Sequence, residues 1–170
     1  MSISNTFFRF VFAFSFFFIS FALIAEPTLE EVVVSARKVD ESVQDVPIAM
    51  SVFTSSDISD AGIERPEDFI ALTPNVVMAN TVNVGDTLVT IRGLTSTRDA
   101  ESNFAFVVDG VLQTNPNAFN RELLDIAQIE VLKGPQGALY GRNATSGAIL
   151  ITTKAPSEES ESTAVIGMGV

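Results

Sequence analysis

The chain is 170 residues long with 21 acidic against 10 basic side chains, a formal net charge of −11, and it contains no His, Cys or Trp. Such a charge argues against a nucleic-acid partner, whose phosphates select Lys and Arg clusters, and it suits an exported, soluble surface. Without Cys there is no disulfide scaffold, and without His the familiar zinc sites and His-based triads are excluded, so any fold must hold by burial alone.

A polar start carrying Arg9 is followed from Phe10 to Ile24 by Phe, Ala, Val, Ile and Leu, interrupted by Ser15 and Ser20. This is the n-region and h-region of a secretory signal peptide over residues 1–25. The run falls short of the roughly 20 apolar residues of a spanning helix, and small residues allow cleavage after Ala25 or after Ala22. An uncleaved anchor is the alternative. The leader holds 9 of the 14 Phe and only Arg9 among the charges, so the exported chain carries 21 acidic against 9 basic groups and is poor in aromatics.

Residues 26–45 read as a charged linker broken by one apolar island, Val32-Val33-Val34, between Glu30-Glu31 and Arg37-Lys38. An isolated strand of that size cannot bury itself. It is either an edge strand of the following domain or an extended segment offered to a partner's sheet edge.

A domain over 46–155 follows. Val46 to Phe53 reads as a strand on alternation and β-branched content. Ser55 or Ser56 caps a helix that stops at Gly62, and Pro66, with Glu67 and Asp68 behind it, opens a second that ends before Pro74. Short strands are expected at Asn75–Met78, Thr87–Ile91 and Phe104–Asp109, where Asp109-Gly110 is a strong hairpin signal with Val111–Thr114 as the return arm. Arg121–Ala127 suggests one or two helical turns before the strand Gln128–Lys133. A Gly-rich connection then leads to the β-prone run Ala148–Lys154. This interspersed order predicts an α+β fold, a small mixed sheet with short helices and loops.

After an acidic break at Ala155–Glu161, residues 162–170 alternate as one barrel strand would, with an ordinary edge strand or a tail as the other readings. The Gly134–Gly147 stretch lacks the spacing of a phosphate loop or a dinucleotide fingerprint, and tight turns explain its glycines. Asn143-Ala144-Thr145 matches a glycosylation pattern too common to weigh. The carboxylate pairs Asp57 with Asp60 and Glu158 with Glu159 read as solvated charge. No catalytic residue, metal site or cofactor is expected.

Together, the exported start, the apolar island, Ile91-Arg92-Gly93, Val107-Val108-Asp109-Gly110 and the run Ile129-Glu130-Val131-Leu132-Lys133-Gly134-Pro135-Gln136-Gly137-Ala138-Leu139-Tyr140-Gly141 resemble TonB-dependent outer-membrane receptors. The resemblance extends from about Leu29 to Lys154, in the family's own order. It implies a plug domain that fills a barrel of about 22 strands. It implies that Leu29, Glu30, Glu31, Val32, Val33, Val34, Ser35 and Ala36 form the TonB box, captured by TonB, which works with ExbB and ExbD. The plug motif positions are then Arg92, Gly93, Asp109, Gly110, Glu130, Lys133, Gly134, Pro135, Tyr140 and Gly141. Outward loops would meet the ligand through Asn83, Arg98 and Asn117. Many members carry Arg where Lys133 stands, and a point charge makes a looser ion pair than a guanidinium fork.

The resemblance implies uptake of a scarce nutrient in a Gram-negative outer membrane. An iron–siderophore complex is the commonest cargo, and cobalamin, haem and oligosaccharides are alternatives. The barrel itself is not among the 170 residues, so the chain is expected to be a fragment or truncated reading frame, with residues 156–170 as linker and start of the first barrel strand. The competing reading is a free-standing periplasmic binding or adaptor domain.

Overall fold

The computed structural model describes residues 31–35, 39, 41–80, 87–96, 101–115 and 118–156. The expected signal peptide, the strand expected at 162–170, the pair Glu158–Glu159 and the expected ligand residues Asn83, Arg98 and Asn117 lie outside them, as do Leu29, Glu30 and Ala36 of the expected box.

Ten strands and three helices are found among the described residues: β1 (Val33–Val34), β2 (Glu41–Ser42), β3 (Met50–Thr54), α1 (Ser55–Asp60), α2 (Pro66–Ala71), β4 (Val76–Asn80), β5 (Thr87–Ile91), β6 (Leu94–Thr95), β7 (Phe104–Val108), β8 (Val111–Gln113), β9 (Ile126–Lys133), α3 (Gly137–Tyr140) and β10 (Gly147–Thr153). A five-stranded sheet of order β3-β9-β10-β7-β8 forms the centre, beside a three-stranded antiparallel sheet β4-β5-β6 and the two-stranded β1-β2. In the central sheet β10 runs parallel to β7, and the other pairings are antiparallel. This is the mixed α+β architecture that the interspersed pattern implies.

The two faces of the central sheet divide the core. On one, Ile129, Val131, Ile149, Ile151, Phe104 and Phe106 pack with Phe69 and Ile70 of α2 and Val89 and Ile91 of β5. Phe119 joins them edge-on, its ring 5.1 Å from Phe106 and 5.2 Å from Phe104. The other face carries Ala105, Val107, Leu132, Ala148 and Leu150, with Tyr140 packed against them. The strands β9 and β10 are therefore buried from both sides, which explains why they read as nearly continuous apolar runs rather than alternating ones.

Several local expectations need correction. The first strand starts at Met50, not Val46: Pro47 has no N–H to give a ladder, and regular pairing with β9 begins at Met50 opposite Leu132. The cap of α1 is Thr54 rather than Ser55 or Ser56. Asp57 N–H donates to Thr54 Oγ1 at 3.3 Å while Thr54 N–H donates back to Asp57 Oδ2 at 2.9 Å, the reciprocal capping box. The Thr54 N–H first, and then the Thr54 hydroxyl, which also donates to Asp57 Oδ2 at 2.7 Å, hold the Asp57 carboxyl below its ordinary value. The helix closes as expected at Gly62, with Ile63 N–H donating to Ile58 O and Gly62 N–H to Ser59 O.

Arg121–Ala127 is not helical. Leu123 N–H donates across to Glu64 O at 2.8 Å, Asp125 turns to φ 52°, and β9 already begins at Ile126, so a tertiary tie replaces the helical one. The Gly-rich connection contains more than turns, since Gly137–Tyr140 forms the short helix α3.

Candidate functional site

The motif residues fall into groups at opposite ends of β10 and on one face of β9. At the Gly147 end, Arg92 and Gly93 form the two-residue turn between β5 and β6, both with positive φ (50° and 83°), while Thr90 and Ile91 pair with Thr95 and Leu94. The Arg92 guanidinium lies over Gly134, where an added Cβ would stand 3.0 Å from it. Lys133 is its neighbour and donates from Nζ to Ser51 Oγ at 3.0 Å. Burial pushes the Lys133 ammonium below its ordinary value, and the nearby Arg92 charge adds to the shift. Two cations are thus held side by side at this end of the sheet.

The connection between β9 and β10 is organised by backbone bonds. Gly134 N–H donates to Ser146 O at 2.9 Å and Gln136 N–H to Ala144 O at 2.7 Å, leaving Pro135 exposed at the tip. Ser146 in turn binds Asn103, its N–H and its Oγ both donating to Asn103 O at 3.0 Å. Gly147 is required by close approach: a Cβ there would run into the Leu132 carbonyl. Gly141, at φ 82°, ends α3.

At the far end of β10, Asp109 and Gly110 form the β7–β8 turn with φ 48° and 78°, the conformation that the Asp-Gly pair favours. The Asp109 carboxylate also accepts from Thr153 N–H at 2.8 Å and from Thr153 Oγ1 at 2.9 Å, stapling the hairpin to the central strand. Asp109 and Gly110 are therefore not brought together with the Arg92–Lys133 pair.

The remaining motif residues meet the apolar island. Glu130 is 2% exposed in the middle of β9, and the Tyr140 phenol is pushed up to about 12, by burial first and by the Glu130 charge second. The island is not free. Val33 and Val34 pair with Ser42 and Glu41 of β2, Val34 is 1% exposed, Ser35 N–H donates to Glu130 Oε1 at 3.0 Å, and Gln128 Nε2 donates to Val33 O at 2.9 Å. An open groove of about 860 Å³ runs beside it, with Ser35 and Val39 on one side and Tyr140, Leu112 and Leu150 among its other lining residues.

Gln128 is the residue that sequence reasoning missed. Its signal was the spacing of Gln128 and Glu130, two polar side chains on one face of a strand otherwise apolar. Of the carboxylates weighed as a pair, Asp57 is committed to its cap, and Asp60 is exposed.

The family description TonB-dependent Receptor Plug Domain matches residues 42–148. The pesticin receptor of Yersinia enterocolitica is 31% identical over 132 residues, 77% of this chain and 19% of that protein. The vitamin B12 transporter BtuB of Vibrio vulnificus is 30% identical over 148 residues, 84% of this chain and 23% of that one. Among solved structures, the ferric yersiniabactin uptake receptor FyuA from Yersinia pestis superposes with a TM-score of 0.60 at 30% identity, over 66% of this chain and 18% of its own. The chain spans about a fifth of the length of these relatives. They are named as receptors and transporters rather than enzymes, and others carry the outer membrane in their names. This chain belongs to the TonB-dependent receptor plug-domain family of Gram-negative outer-membrane receptors.

Proposed function

We propose that the chain supplies the plug and the coupling segment of a receptor for energy-driven uptake of an iron–siderophore complex. The observation that carries the cargo is the 30% identity over 66% of the chain with a receptor named for ferric yersiniabactin uptake, joined by 31% identity to the pesticin receptor. Leu29 to Ala36 is the segment that TonB, energised with ExbB and ExbD, captures by strand addition, so that a pull on the backbone reaches β9 through the docked island. Arg92 and Lys133 are the cations that pair with carboxylates of a surrounding barrel wall. Asn83, Arg98 and Asn117 are the residues that meet the ligand.

In this reading the gene continues beyond Val170 into amphipathic strands of about ten residues each. A stop codon there would leave the free-standing periplasmic domain instead. The receptor translated from the whole gene is to be titrated with ferric siderophores of the catecholate, hydroxamate and phenolate classes, and in parallel with cobalamin, haem and maltooligosaccharides. Saturable binding of one ferric class is expected. Saturable binding of cobalamin, haem or sugar in its place would overturn the siderophore assignment.

A further inference from the structure

Three connections arrive at the end of the central sheet where β10 begins. Residues 101–103 lead into β7, whose Phe104 lies opposite Gly147 in the parallel pair with β10, and residues 141–146 lead into β10 itself. β8, antiparallel to β7, leaves from Gln113 towards the same end. In the sequence, two of these connections contain Arg98 and Asn117, and the third, which follows α3, contains Arg142. That third connection is tied down. Ala144 N–H donates to Gly141 O at 3.2 Å, and Thr145 Oγ1 donates to Asn103 O at 3.0 Å beside the bonds that Ser146 makes to the same residue. Ala144 and Ser146 are buried, whereas the Arg142 side chain is 81% exposed.

What Arg142 touches is Glu101. Its Nη2 donates to Glu101 Oε1 at 2.8 Å, and that side chain is itself 49% exposed. An exposed pair of this kind contributes little to stability, and the backbone and hydroxyl bonds already hold the two connections together. The other N–H groups of the guanidinium make no bond among the described residues. A planar fork of donors on a fixed base, opposed by one solvated carboxylate, is suited to exchange that carboxylate for another oxygen anion. On a chain of net charge −11, an anionic complex needs such a local cation. We propose that Arg142 recognises a negatively charged ferric chelate through one of its carboxylate or catecholate oxygens, and that Glu101 is the internal counter-ion which this oxygen displaces. This rests on reading the chain as the plug of a ferric-siderophore receptor.

The test uses the intact receptor with Arg142→Gln, Arg142→Lys and Glu101→Gln. Each is titrated with a ferric tris-catecholate and a ferric citrate complex, both anionic, and with a neutral ferric tris-hydroxamate. The unaltered receptor should bind an anionic complex saturably, and more weakly as salt rises. Arg142→Gln should weaken that binding about tenfold or more and flatten its salt dependence. Arg142→Lys keeps the charge but loses the fork, and should fall between the two. Glu101→Gln should tighten the same binding about two- to fivefold, because the competing carboxylate is gone. Urea midpoints should stay at the wild-type value in all three, since the pair is exposed.

Equal affinity of the wild type and Arg142→Gln for the anionic complexes would overturn the assignment. So would weakening by Glu101→Gln to the same extent as by Arg142→Gln, or a lowered urea midpoint in both, because either marks the pair as a structural tie. Saturable binding of the neutral tris-hydroxamate alone would overturn the charge class. If none of the ferric complexes binds and cobalamin, haem or a sugar does, the siderophore reading falls and the Arg142 assignment falls with it, a result separable from any difference between the variants.

Discussion

Gly147 shows what one absent methyl group does. It starts β10 opposite Lys133, beside the Leu132 carbonyl, where a Cβ would overlap backbone that the central sheet holds on both sides. Gly147→Ala should therefore cost about 1–3 kcal/mol or more, because the obstacle is main chain and cannot rotate away. Urea unfolding, read as a lower midpoint at unchanged slope, is the measurement, and a midpoint equal to wild type would show that the strands yield there. Tyr140 provides a second test at this scale. It is the only Tyr in a chain without Trp, so its ultraviolet titration is unambiguous. The ionisation should centre at about 12 instead of 10.0. Since the folded chain holds this proton more tightly than the unfolded chain, the stability it contributes is whole below pH 10.0 and is lost as pH rises toward about 12. A midpoint near 10.0 would mean that the ring is solvated rather than packed against the sheet.

Elements here are short, so their ends carry much of the definition. The β7–β8 hairpin pairs only Phe106, Val107 and Val108 with Gln113, Leu112 and Val111, and it relies on Asp109 for both its turn and its tie to Thr153. Asp109→Ala loses the two bonds and leaves an Ala at positive φ, and should cost about 2–4 kcal/mol. Asp109→Asn keeps an acceptor and tolerates the same backbone, so it should cost less. If chemical denaturation ranks Asn as equal to or worse than Ala, the charge rather than the geometry matters. The element boundaries follow the same logic. The strand over Thr87–Ile91 and the Asp109-Gly110 hairpin were legible because alternation and turn chemistry are local. Arg121–Asp125 was not, because its backbone is held by Glu64, more than fifty residues away in the chain, and no local pattern reports such a partner.

The whole molecule couples an extended segment to a buried strand. Val33→Pro removes a backbone donor and fixes φ in that segment. It should weaken capture by the TonB C-terminal domain about tenfold, measured by calorimetry with the peptide of residues 29–36 so that docking on β9 plays no part. Equal affinity of the Pro peptide would sink the strand-addition account. In the intact receptor the same change should leave ligand binding unaltered and reduce energy-dependent accumulation, because the Val33 side chain is exposed and its strand lies outside the five-stranded central sheet.

The apolar N-terminal run, the acidic charge, the absence of Cys and His, the turn pairs Arg92-Gly93 and Asp109-Gly110, and the long motif from Ile129 to Gly141 can all be read from the chain without its folding, and together they were enough to identify an α+β plug. The relation between the apolar island and the plug was of another kind. Composition showed Val32 to Val34 as a strand too short to stand alone, with no indication of where it would rest. Its partners, Gln128 and Glu130, lie about a hundred residues further along and reach it only after β9 is set between β3 and β10. Side chains that bond to distant backbone acquire their role from sheet order and register, and those arise from the burial of the whole core.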